Sequence, residues 1–375
     1  ATHRYPAAMI VDRRLLPHLD WPLIAALLAI SFMSIATIYS VTWDFRLDRV
    51  GGRFWPQVYA LPVALVAMTA CMLVDYRTLA QRSMFLYGAL IVALVYVSFF
   101  GVLGGGARRW ISLGGFTLQP SEFARITVAL VLAMFFGDSR RSARSMGELV
   151  VSGLLVIVPT ILILRQPDLG TAVTLLPVYL GAIYFAGLPM RWIWIGVLAL
   201  ALMSPVIWKY GLRDYQRGRI ETFLDPSKDP RGAGYQQVQA RIAVGSGGFY
   251  GKGFQQGTQG RNGFLPVADN DFVFSVLAEE HGFLGVLTAL GLYLFVILRS
   301  LEAAKLAKDR VGAFLVVAII SGFGFQVVYN ITMSAGLAPV KGLTLPLMSY
   351  GGSSLVATLA GFGLILNVRM RRFTN

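Results

Sequence analysis

Long apolar stretches alternate with short polar segments along almost the whole chain. A helix that crosses a bilayer needs about 20 predominantly apolar residues, and stretches of that length recur here. We predict ten spans, at about residues 21–41, 55–74, 84–104, 120–137, 149–164, 170–187, 193–209, 271–298, 313–333 and 350–368. The pattern therefore predicts an all-α polytopic membrane protein, with residues 1–375 forming a single membrane domain.

Composition agrees with this interpretation. Hydrophobic residues make up 56% of the chain and charged residues only 14%, whereas a soluble domain averages about 25% charged residues. The first apolar stretch, residues 21–41, is too long for the apolar core of a cleavable signal peptide, so we expect an uncleaved anchor. The single cysteine, Cys71, lies in an apolar stretch, which argues against a disulfide and against a thiolate metal cluster.

The net charge of +14 is explained by membrane orientation rather than by nucleic-acid binding, because the basic residues stand at the ends of apolar segments. The two termini and the short loops on one side together hold 16 Lys and Arg residues, against 7 on the other side when the long loop 210–270 is left out. The positive-inside rule then places both termini, including residues 1–20, in the cytoplasm and puts loop 210–270, between the seventh and eighth spans, outside.

Loop 210–270 is rich in basic residues and glycine. Its stretch QVQARIAV predicts a short amphipathic helix on the membrane surface. The stretch GSGGFYGKG offers flexibility and close backbone approach. Eight Lys and Arg residues on an outward loop favour an anionic ligand, although a purely structural loop is the alternative.

Four carboxylates stand at or inside the apolar stretch that begins FLPVADNDFVFSVLAEEHGFLG. An ionised group within a span costs about 2.5–3.5 kcal/mol, so it needs a cavity or a partner. Asp271 begins the eighth span, where partial desolvation would raise its pKa toward the range of a general base; helix capping is the alternative. Asp269 is expected to be solvated. Glu279 and Glu280 lie deeper, and we expect them to form ion pairs or contacts between helices.

Basic residues stand beside helix starts at three further places. GGARRWISLGGFTLQPSEFAR contains Arg109, Trp110, Glu122 in a first helical turn and Arg125 on the same helical face. RQPDLGTA contains Asp168, for which a helix N-cap is one interpretation. APVKGLTLPLMSYGGSS contains Lys341 before the last helix. Cations at separate helix ends can converge on a phosphate-bearing ligand. No spacing suits a zinc site, and no phosphate-binding GK[ST] loop is present.

Six spaced motifs together resemble the RodA/FtsW (SEDS) family over about residues 12–372. They are ARRWISLGGFTLQPSEFAR, RQPDLGTA, FLDPSKDPRGAGYQ, IAVGSGGFYGKG, FLPVADNDFVFSVLAEEHGFLG and PVKGLTLPLMSYGGSSL. The resemblance implies a ten-helix protein of the bacterial inner membrane. It also implies peptidoglycan glycosyltransferase activity on lipid II, a disaccharide-pentapeptide carried by undecaprenyl diphosphate.

The resemblance also carries individual residues over. The essential aspartate of the family's D-F-[IV]-F motif corresponds to Asp271, which would act as general base. The residues implied to bind substrate are Arg109, Trp110, Glu122, Arg125, Lys252, Lys341 and Ser349. Arg125 stands where the family usually has Lys, and Asp269–Asn270 replaces a frequent His–Thr pair. A divalent cation, Mg²⁺ or Mn²⁺, is implied by the family alone.

The family further implies a partner, a class B penicillin-binding protein that supplies transpeptidation, together with other membrane proteins of the elongation complex. Within the family, the short N-terminal segment VDRRLLPHLDW resembles RodA, whereas PVKGLTLPLMSYGGSS resembles the division-type FtsW. The N-terminal resemblance favours RodA. Two other functions are open from the residues alone. One is a lipid II flippase, since charges inside the bilayer suit a carrier. The other is a scaffold without chemistry of its own.

Overall fold

The protein is described by a computed structural model that covers residues 18–44, 48–104, 107–114, 116–137, 145–211, 214–261 and 263–373. Its α-helices are α1 (Trp21–Thr42), α2 (Phe54–Leu73), α3 (Tyr76–Gln81), α4 (Ser83–Phe100), α5 (Pro120–Gly137), α6 (Met146–Arg165), α7 (Leu169–Phe185), α8 (Met190–Val206), α9 (Asp214–Leu224), α10 (Ala233–Ser246), α11 (Thr258–Arg261), α12 (Val273–Lys305), α13 (Arg310–Ser334) and α14 (Gly352–Met370). Most of residues 1–20 lie outside this coverage, so their cytoplasmic placement stays a prediction.

The predicted class, an all-α polytopic membrane protein, is confirmed. Within the described ranges, eight helices are long and apolar enough to cross a membrane, namely α1, α2, α4, α5, α6, α12, α13 and α14. The remaining predicted spans correspond to α7 and α8, which are apolar but have only 17 residues each. The count of ten spans therefore stays a prediction.

Two small antiparallel sheets interrupt the helices, and the sequence pattern did not predict them. One pairs β1 (Trp43–Asp44) with β2 (Arg49–Val50). The other joins β3 (Val102–Gly104), β4 (Ala107–Leu113) and β5 (Phe116–Leu118) in that order. The predicted third span, 84–104, was therefore too long. Helix α4 ends at Phe100 because the chain turns extended at Gly101 and enters the sheet.

Helix α14 is the centre of the bundle and is buried along almost its whole length, from Ser353 to Met370. It packs most extensively against α2, while α13 packs against α5 and α7. By contrast, α4 and α6 are mostly exposed within the described chain, as expected for helices that face lipid. The side-chain amide of Asn367 in α14 donates to the carbonyls of Cys71 and Met72, at 2.8 and 2.9 Å. These bonds satisfy carbonyl groups that the end of α2 leaves unpaired.

Helix α12 is broken at Gly282, whose φ of 62° and ψ of −157° are not helical. The carbonyls just before the break accept from the amides of Lys252 and Gly253, at 2.9 and 3.0 Å. The amides just after it donate to the carbonyls of Gly248 and Phe249, at 2.9 and 3.2 Å. The glycine-rich stretch of the long loop thus pairs the polar groups that the break exposes, which a backbone at membrane depth requires. This stretch is docked on α12.

In its described residues, the long loop between α8 and α12 contains three α-helices, α9, α10 and α11. The helix expected over QVQARIAV is present as α10, and it packs against α12 and α13. Its small and amide residues Gln237, Ala240 and Ala243 are buried there.

Candidate active site

A polar cavity of about 410 Å³ lies near the end of the bundle where α5, α7 and α14 begin. This volume falls in the range of small-molecule sites. Its lining comes from the β4–β5 sheet, α5, α7, α13, α14 and the segment before α14. The lining residues are Pro56, Arg109, Trp110, Thr117, Gln119, Glu122, Arg125, Asp168, Thr171, Thr174, Asn270, Gln326, Gly342, Leu343, Thr344, Tyr350, Gly351, Gly352, Ser353 and Ser354.

Arg109 and Trp110 both line the cavity although they are neighbours on strand β4. Successive residues of a regular strand point to opposite faces. Here the pairing shifts: Trp110 opposes Val102, whereas Arg108 opposes the next residue, Leu103. Arg109 is thus an extra residue in β4, and a bulge of this kind redirects side chains. The bulge explains how two adjacent residues reach one cavity.

The Arg109 guanidinium is held by backbone oxygens at the turn into α7. It donates to the carbonyl of Gln166 at 2.9 Å and to that of Pro167 at 2.6 Å. A flexible arginine is thereby fixed at the cavity wall with two of its donors already used.

The deep wall of the cavity is a connected polar network around Arg125. Its guanidinium pairs with the Glu122 carboxylate at 2.7 Å and also donates to Gln326 of α13. The Gln326 amide in turn donates to the carbonyl of Thr344 at 2.9 Å. The Glu122–Arg125 proximity predicted from helical spacing is confirmed, and the pair neutralises the charge of both residues.

Asp168 caps α7, as one interpretation of RQPDLGTA predicted. Its Oδ1 accepts from the amide of Thr171 at 3.2 Å. The other oxygen accepts from the side-chain amide of Gln119 at 2.9 Å, and Ser121 lies 3.3 Å from it. Because Asp168 also lines the cavity, the cap and the site share one residue.

Asp271 lies immediately beside the cavity and does not line it directly. The preceding residue, Asn270, and the neighbouring Gly342 are part of the lining. The Asp271 Oδ2 atom is 3.6 Å from the position that a Cβ on Gly342 would occupy. Gly342 has a φ of 65°, a conformation that favours glycine. The Asp271 side chain is partly exposed, and its carboxylate lies next to two lining residues, at the edge of the cavity.

Asn330 of α13 holds this arrangement in place. Its side-chain amide donates to the backbone carbonyl of Asp271 at 3.0 Å and to that of Leu343 at 2.6 Å. One side chain thus ties the segment that carries the carboxylate to the segment that lines the cavity.

Two cations accompany Asp271, and we call Asp271, Arg219, Lys341 and Gly342 the Asp271 cluster. Arg219 of α9 donates to the carbonyl of Val340 at 2.8 Å, next to Lys341. The Lys341 ammonium lies 5.5 Å from the centroid of the Tyr329 ring.

Burial raises the pKa of Asp271 to about 6; the positive charge of Arg219 opposes this rise, and the negative charge of Asp269 adds to it. Among the described residues, its Oδ1 is buried without a hydrogen-bond partner. A carboxylate with a pKa near neutrality and an unused acceptor suits a general base.

Asp269 does not behave as expected from the sequence. We predicted a solvated carboxylate, but Asp269 is only 5% exposed and pairs with Arg53 at 2.9 Å. The prediction was wrong because the β1–β2 hairpin and the start of α2 bring a cation onto the segment. Because Asp269 is paired with Arg53, Asp271 is the one of these two acids that has no ion-pair partner among the described residues.

Glu279 and Glu280 have the structural contacts that we predicted for them. Glu279 is fully buried and accepts from the Lys252 ammonium at 2.6 Å and from the amide of Thr258 at 2.8 Å. Glu280 accepts from the hydroxyl of Ser40 in α1. Both carboxylates fasten neighbouring segments to α12.

Three of the residues predicted to bind substrate lie outside the cavity lining: Lys341, which belongs to the Asp271 cluster, and Lys252 and Ser349. Lys252 is occupied by Glu279 and does not line the cavity. The Ser349 hydroxyl accepts from the amide of Leu345 at 2.7 Å inside its own turn. Ser353, in the first turn of α14, does line the cavity. Its hydroxyl joins α14 to β5 by donating to the carbonyl of Thr117 at 2.7 Å.

Arg219 and Gln326 belong to the site but were not singled out from the sequence. Arg219 stands among eight basic residues of one loop, so nothing in the pattern distinguishes it. Gln326 offers a weak signal, since an amide inside the apolar stretch of α13 needs a partner.

The acidic groups do not fit the divalent cation that the family implies. Glu122 is paired with Arg125, and Asp168 accepts three hydrogen bonds. No group of three or more His, Cys, Asp or Glu side chains converges anywhere in the described ranges.

The fold and this cavity define a polytopic helical membrane protein with a polar, ligand-sized site near one end of its bundle. Residues 18–373 match the sequence model of the FtsW, RodA and SpoVE family, described as "cell cycle protein". The chain belongs to this family.

Known proteins similar to this chain span nearly its whole length. Peptidoglycan glycosyltransferase MrdB of Escherichia coli K12 is 37% identical over 355 residues, covering 95% of this chain and 94% of that protein. A solved structure, "Structural coordination of polymerization and crosslinking by a peptidoglycan synthase complex", contains a chain with a TM-score of 0.82 and 34% identity, covering 95% and 99%. The crystal structure of Thermus thermophilus rod shape determining protein RodA gives a TM-score of 0.71 and 32% identity, covering 95% and 98%.

Proposed function

We propose that this chain is a peptidoglycan glycosyltransferase that polymerises lipid II during cell-wall elongation, with Asp271 as general base. The single observation that carries the mechanism is the unpaired Asp271 carboxylate beside the cavity, with its Oδ1 free of any described donor. The relatives' names support the activity.

The reaction is an inverting glycosyl transfer. Asp271 takes the proton of the 4-hydroxyl on the acceptor sugar, and the oxygen attacks the anomeric carbon of the lipid-linked chain. One glycosidic C–O bond forms while the bond from that carbon to the diphosphate oxygen breaks. Undecaprenyl diphosphate leaves with the electron pair, and the proton remains on Asp271.

The cavity beside the base suits the sugars of this substrate. Its wall carries hydroxyl and amide groups, among them Thr117, Gln119 and Ser353, together with the aromatic rings of Trp110 and Tyr350. Such groups bond to sugar hydroxyls, and aromatic faces pack on the apolar faces of pyranose rings.

The protein would lie in the bacterial inner membrane with both termini in the cytoplasm and the cavity facing outward. A class B penicillin-binding protein would supply the crosslinking activity beside it, together with other elongation proteins. The similarity to a chain from a peptidoglycan synthase complex supports such an assembly.

A lipid II flippase is the less favoured function. A carrier needs polar groups along a route between both faces. Beyond Arg125 the cavity gives way to a pocket of about 30 Å³ lined mostly by apolar side chains such as Ile126, Phe323 and Phe362. This apolar floor supports a reaction at one face.

The test is polymerisation of labelled lipid II by the purified protein and by Asp271→Asn. We expect the variant to lose about 10²–10⁴-fold in rate, the usual contribution of a general base. Asp214→Asn is the matched control, since Asp214 is a fully exposed carboxylate on α9. Normal polymerisation by Asp271→Asn, or translocation of lipid II without polymer, would overturn the proposal.

A further inference from the structure

The cations around the site fall into two groups that differ in how their charge is compensated. The cavity lining contains two positive side chains, Arg109 and Arg125, and two negative ones, Glu122 and Asp168. Its net charge is therefore zero. A neutral, hydrogen-bonding wall is well suited to sugars and poorly suited to a group that carries two or more negative charges.

The cations of the Asp271 cluster are different. Neither Arg219 nor Lys341 has a carboxylate within ion-pair distance among the described residues. Arg219 uses a donor on the carbonyl of Val340, and Lys341 lies over the Tyr329 ring. Both contacts are with neutral groups. Counting Asp271, whose charge interacts with that of Arg219, the cluster carries a net charge of +1 when Asp271 is ionised, whereas the cavity lining carries none.

The backbone brings these two cations to the same place as the carboxylate. Arg219 is bonded to the carbonyl of Val340, and Lys341 follows in sequence. The next residue, Gly342, lies beside the Asp271 carboxylate, since a Cβ on Gly342 would be 3.6 Å from its Oδ2. Burial lowers the pKa of Lys341, and the positive charge of Arg219 lowers it further. Like charges placed together cost free energy, and this cost is recovered when an anion binds between them.

We infer that Arg219 and Lys341 form the subsite for the leaving diphosphate of the undecaprenyl-linked substrate, while the neutral cavity holds sugar. This inference deepens the proposed function and rests on it. It assigns a role to Arg219. It also distinguishes Lys341 from Arg109, Arg125 and Lys252, which are already bonded to backbone carbonyls or to carboxylates. Arginine and lysine side chains would then offset the charge that develops on the diphosphate as its bond to the sugar breaks.

The experiment measures binding of undecaprenyl diphosphate and undecaprenyl monophosphate to the full chain in detergent or nanodiscs. The variants are Arg219→Gln, Lys341→Gln and the double variant. We expect the double variant to bind the diphosphate at least about tenfold more weakly, since each charge-assisted hydrogen bond is worth about that much. Affinity for the monophosphate should fall less, so the preference for diphosphate should narrow.

Two controls separate local charge from general damage. Lys228→Gln removes an exposed cation of the same loop that faces Glu221, and it should keep diphosphate affinity within about threefold of the parent. Arg125→Gln, inside the cavity, tests the competing location of the diphosphate. The conservative changes Arg219→Lys and Lys341→Arg should preserve most of the binding, which shows that a variant's loss comes from charge rather than from misfolding.

The outcomes distinguish this inference from the proposed function. If the parent polymerises lipid II and the double variant binds diphosphate normally, the subsite is wrong and the function stands. If Arg125→Gln abolishes diphosphate binding, the diphosphate lies in the cavity instead and the inference is wrong. If the pair binds diphosphate in a protein that never polymerises lipid II, the function fails and the subsite stands.

Discussion

The two ends of the helix bundle each contain a desolvated carboxylate, and the two carboxylates differ in whether a cation is bonded to them. At the end away from the cavity, the fully buried carboxylate of Asp20 accepts from Arg299 at 3.0 Å and from Arg369 at 2.9 Å. At the cavity end, the Asp271 carboxylate has an unpaired oxygen, and the cations Arg219 and Lys341 have no described carboxylate partner.

The paired charges around Asp20 stabilise the packing of the helices, whereas the unpaired charges around Asp271 can bind a ligand. Asp20 begins α1, Arg299 lies near the end of α12, and Arg369 lies near the end of α14. Their ion pairs fasten three helices at one end. A charged group that is desolvated and unpaired lowers the stability of the folded protein. Such groups are therefore found mainly at functional sites. The contrast thus locates the chemistry at the cavity end independently of any motif.

The largest effect that would test this contrast is loss of the Asp20 charge. Asp20→Asn keeps an oxygen that can cap α1 at Leu23 but leaves Arg299 and Arg369 without their shared anion. Breaking a buried ion pair in this way costs about 3–5 kcal/mol. We expect a clearly lower Tm in detergent, with polymerisation per folded molecule near that of the parent.

Asp75→Asn is the matched control for the same end, since Asp75 is partly exposed and pairs with Arg371 at 3.3 Å. Its effect on Tm should be much smaller, because exposed pairs are worth about 0–1 kcal/mol. If Asp20→Asn instead abolished polymerisation at an unchanged Tm, the division between a structural and a chemical end would be wrong.

The pH dependence of polymerisation sharpens the comparison at the cavity end. A base with a pKa of about 6 must be deprotonated to act, so the rate should rise with pH and level off above 7. Between pH 7 and pH 5 we expect a fall of roughly tenfold, the ratio of deprotonated fractions. Arg219→Gln should move the midpoint to higher pH, because the Arg219 charge lowers this pKa. A flat profile from pH 5 to pH 7 would contradict a base of this kind.

The same titration acts on stability with the opposite sign. The pKa of Asp271 lies above its ordinary 3.8 in the folded protein, so the folded state binds the proton more tightly than the unfolded state. The contribution of Asp271 to stability is therefore greatest below pH 3.8 and is lost as the pH rises through about 6. Asp271→Asn should remove this loss. The free energy of unfolding at pH 7.5 should then rise by on the order of 1–3 kcal/mol, and Tm should rise with it. Loss of activity with gained stability would mark a functional charge.

Much of the fold could be predicted from the sequence, because spans of about 20 apolar residues have few other uses. The pairing of Glu122 with Arg125 followed from helical spacing alone, and the capping by Asp168 from a local rule. These features depend on residues close together in the chain.

The features that the sequence analysis missed depend on contacts between distant segments. Asp269 meets Arg53 across more than 200 residues, so nothing near Asp269 revealed its partner. Arg219 gained its position from the docking of α9 over residue 340. The bulge that turns both Arg109 and Trp110 to the cavity is a matter of strand register, which the side-chain pattern specifies weakly in a short strand flanked by glycines.

The smallest expected effect concerns two serines near the start of α14. Ser349 was predicted to bind substrate, yet its hydroxyl is occupied by the amide of Leu345 and lies outside the cavity lining. Ser349→Ala should cost about 1 kcal/mol of stability, the usual worth of one hydrogen bond, with KM for lipid II unchanged. Ser353→Ala, in the lining, should raise KM by about two- to fivefold at a similar cost in stability, in line with the loss of one neutral hydrogen bond. Thermal melting and steady-state kinetics on both variants decide the matter, and a raised KM in Ser349→Ala alone would restore Ser349 to the site.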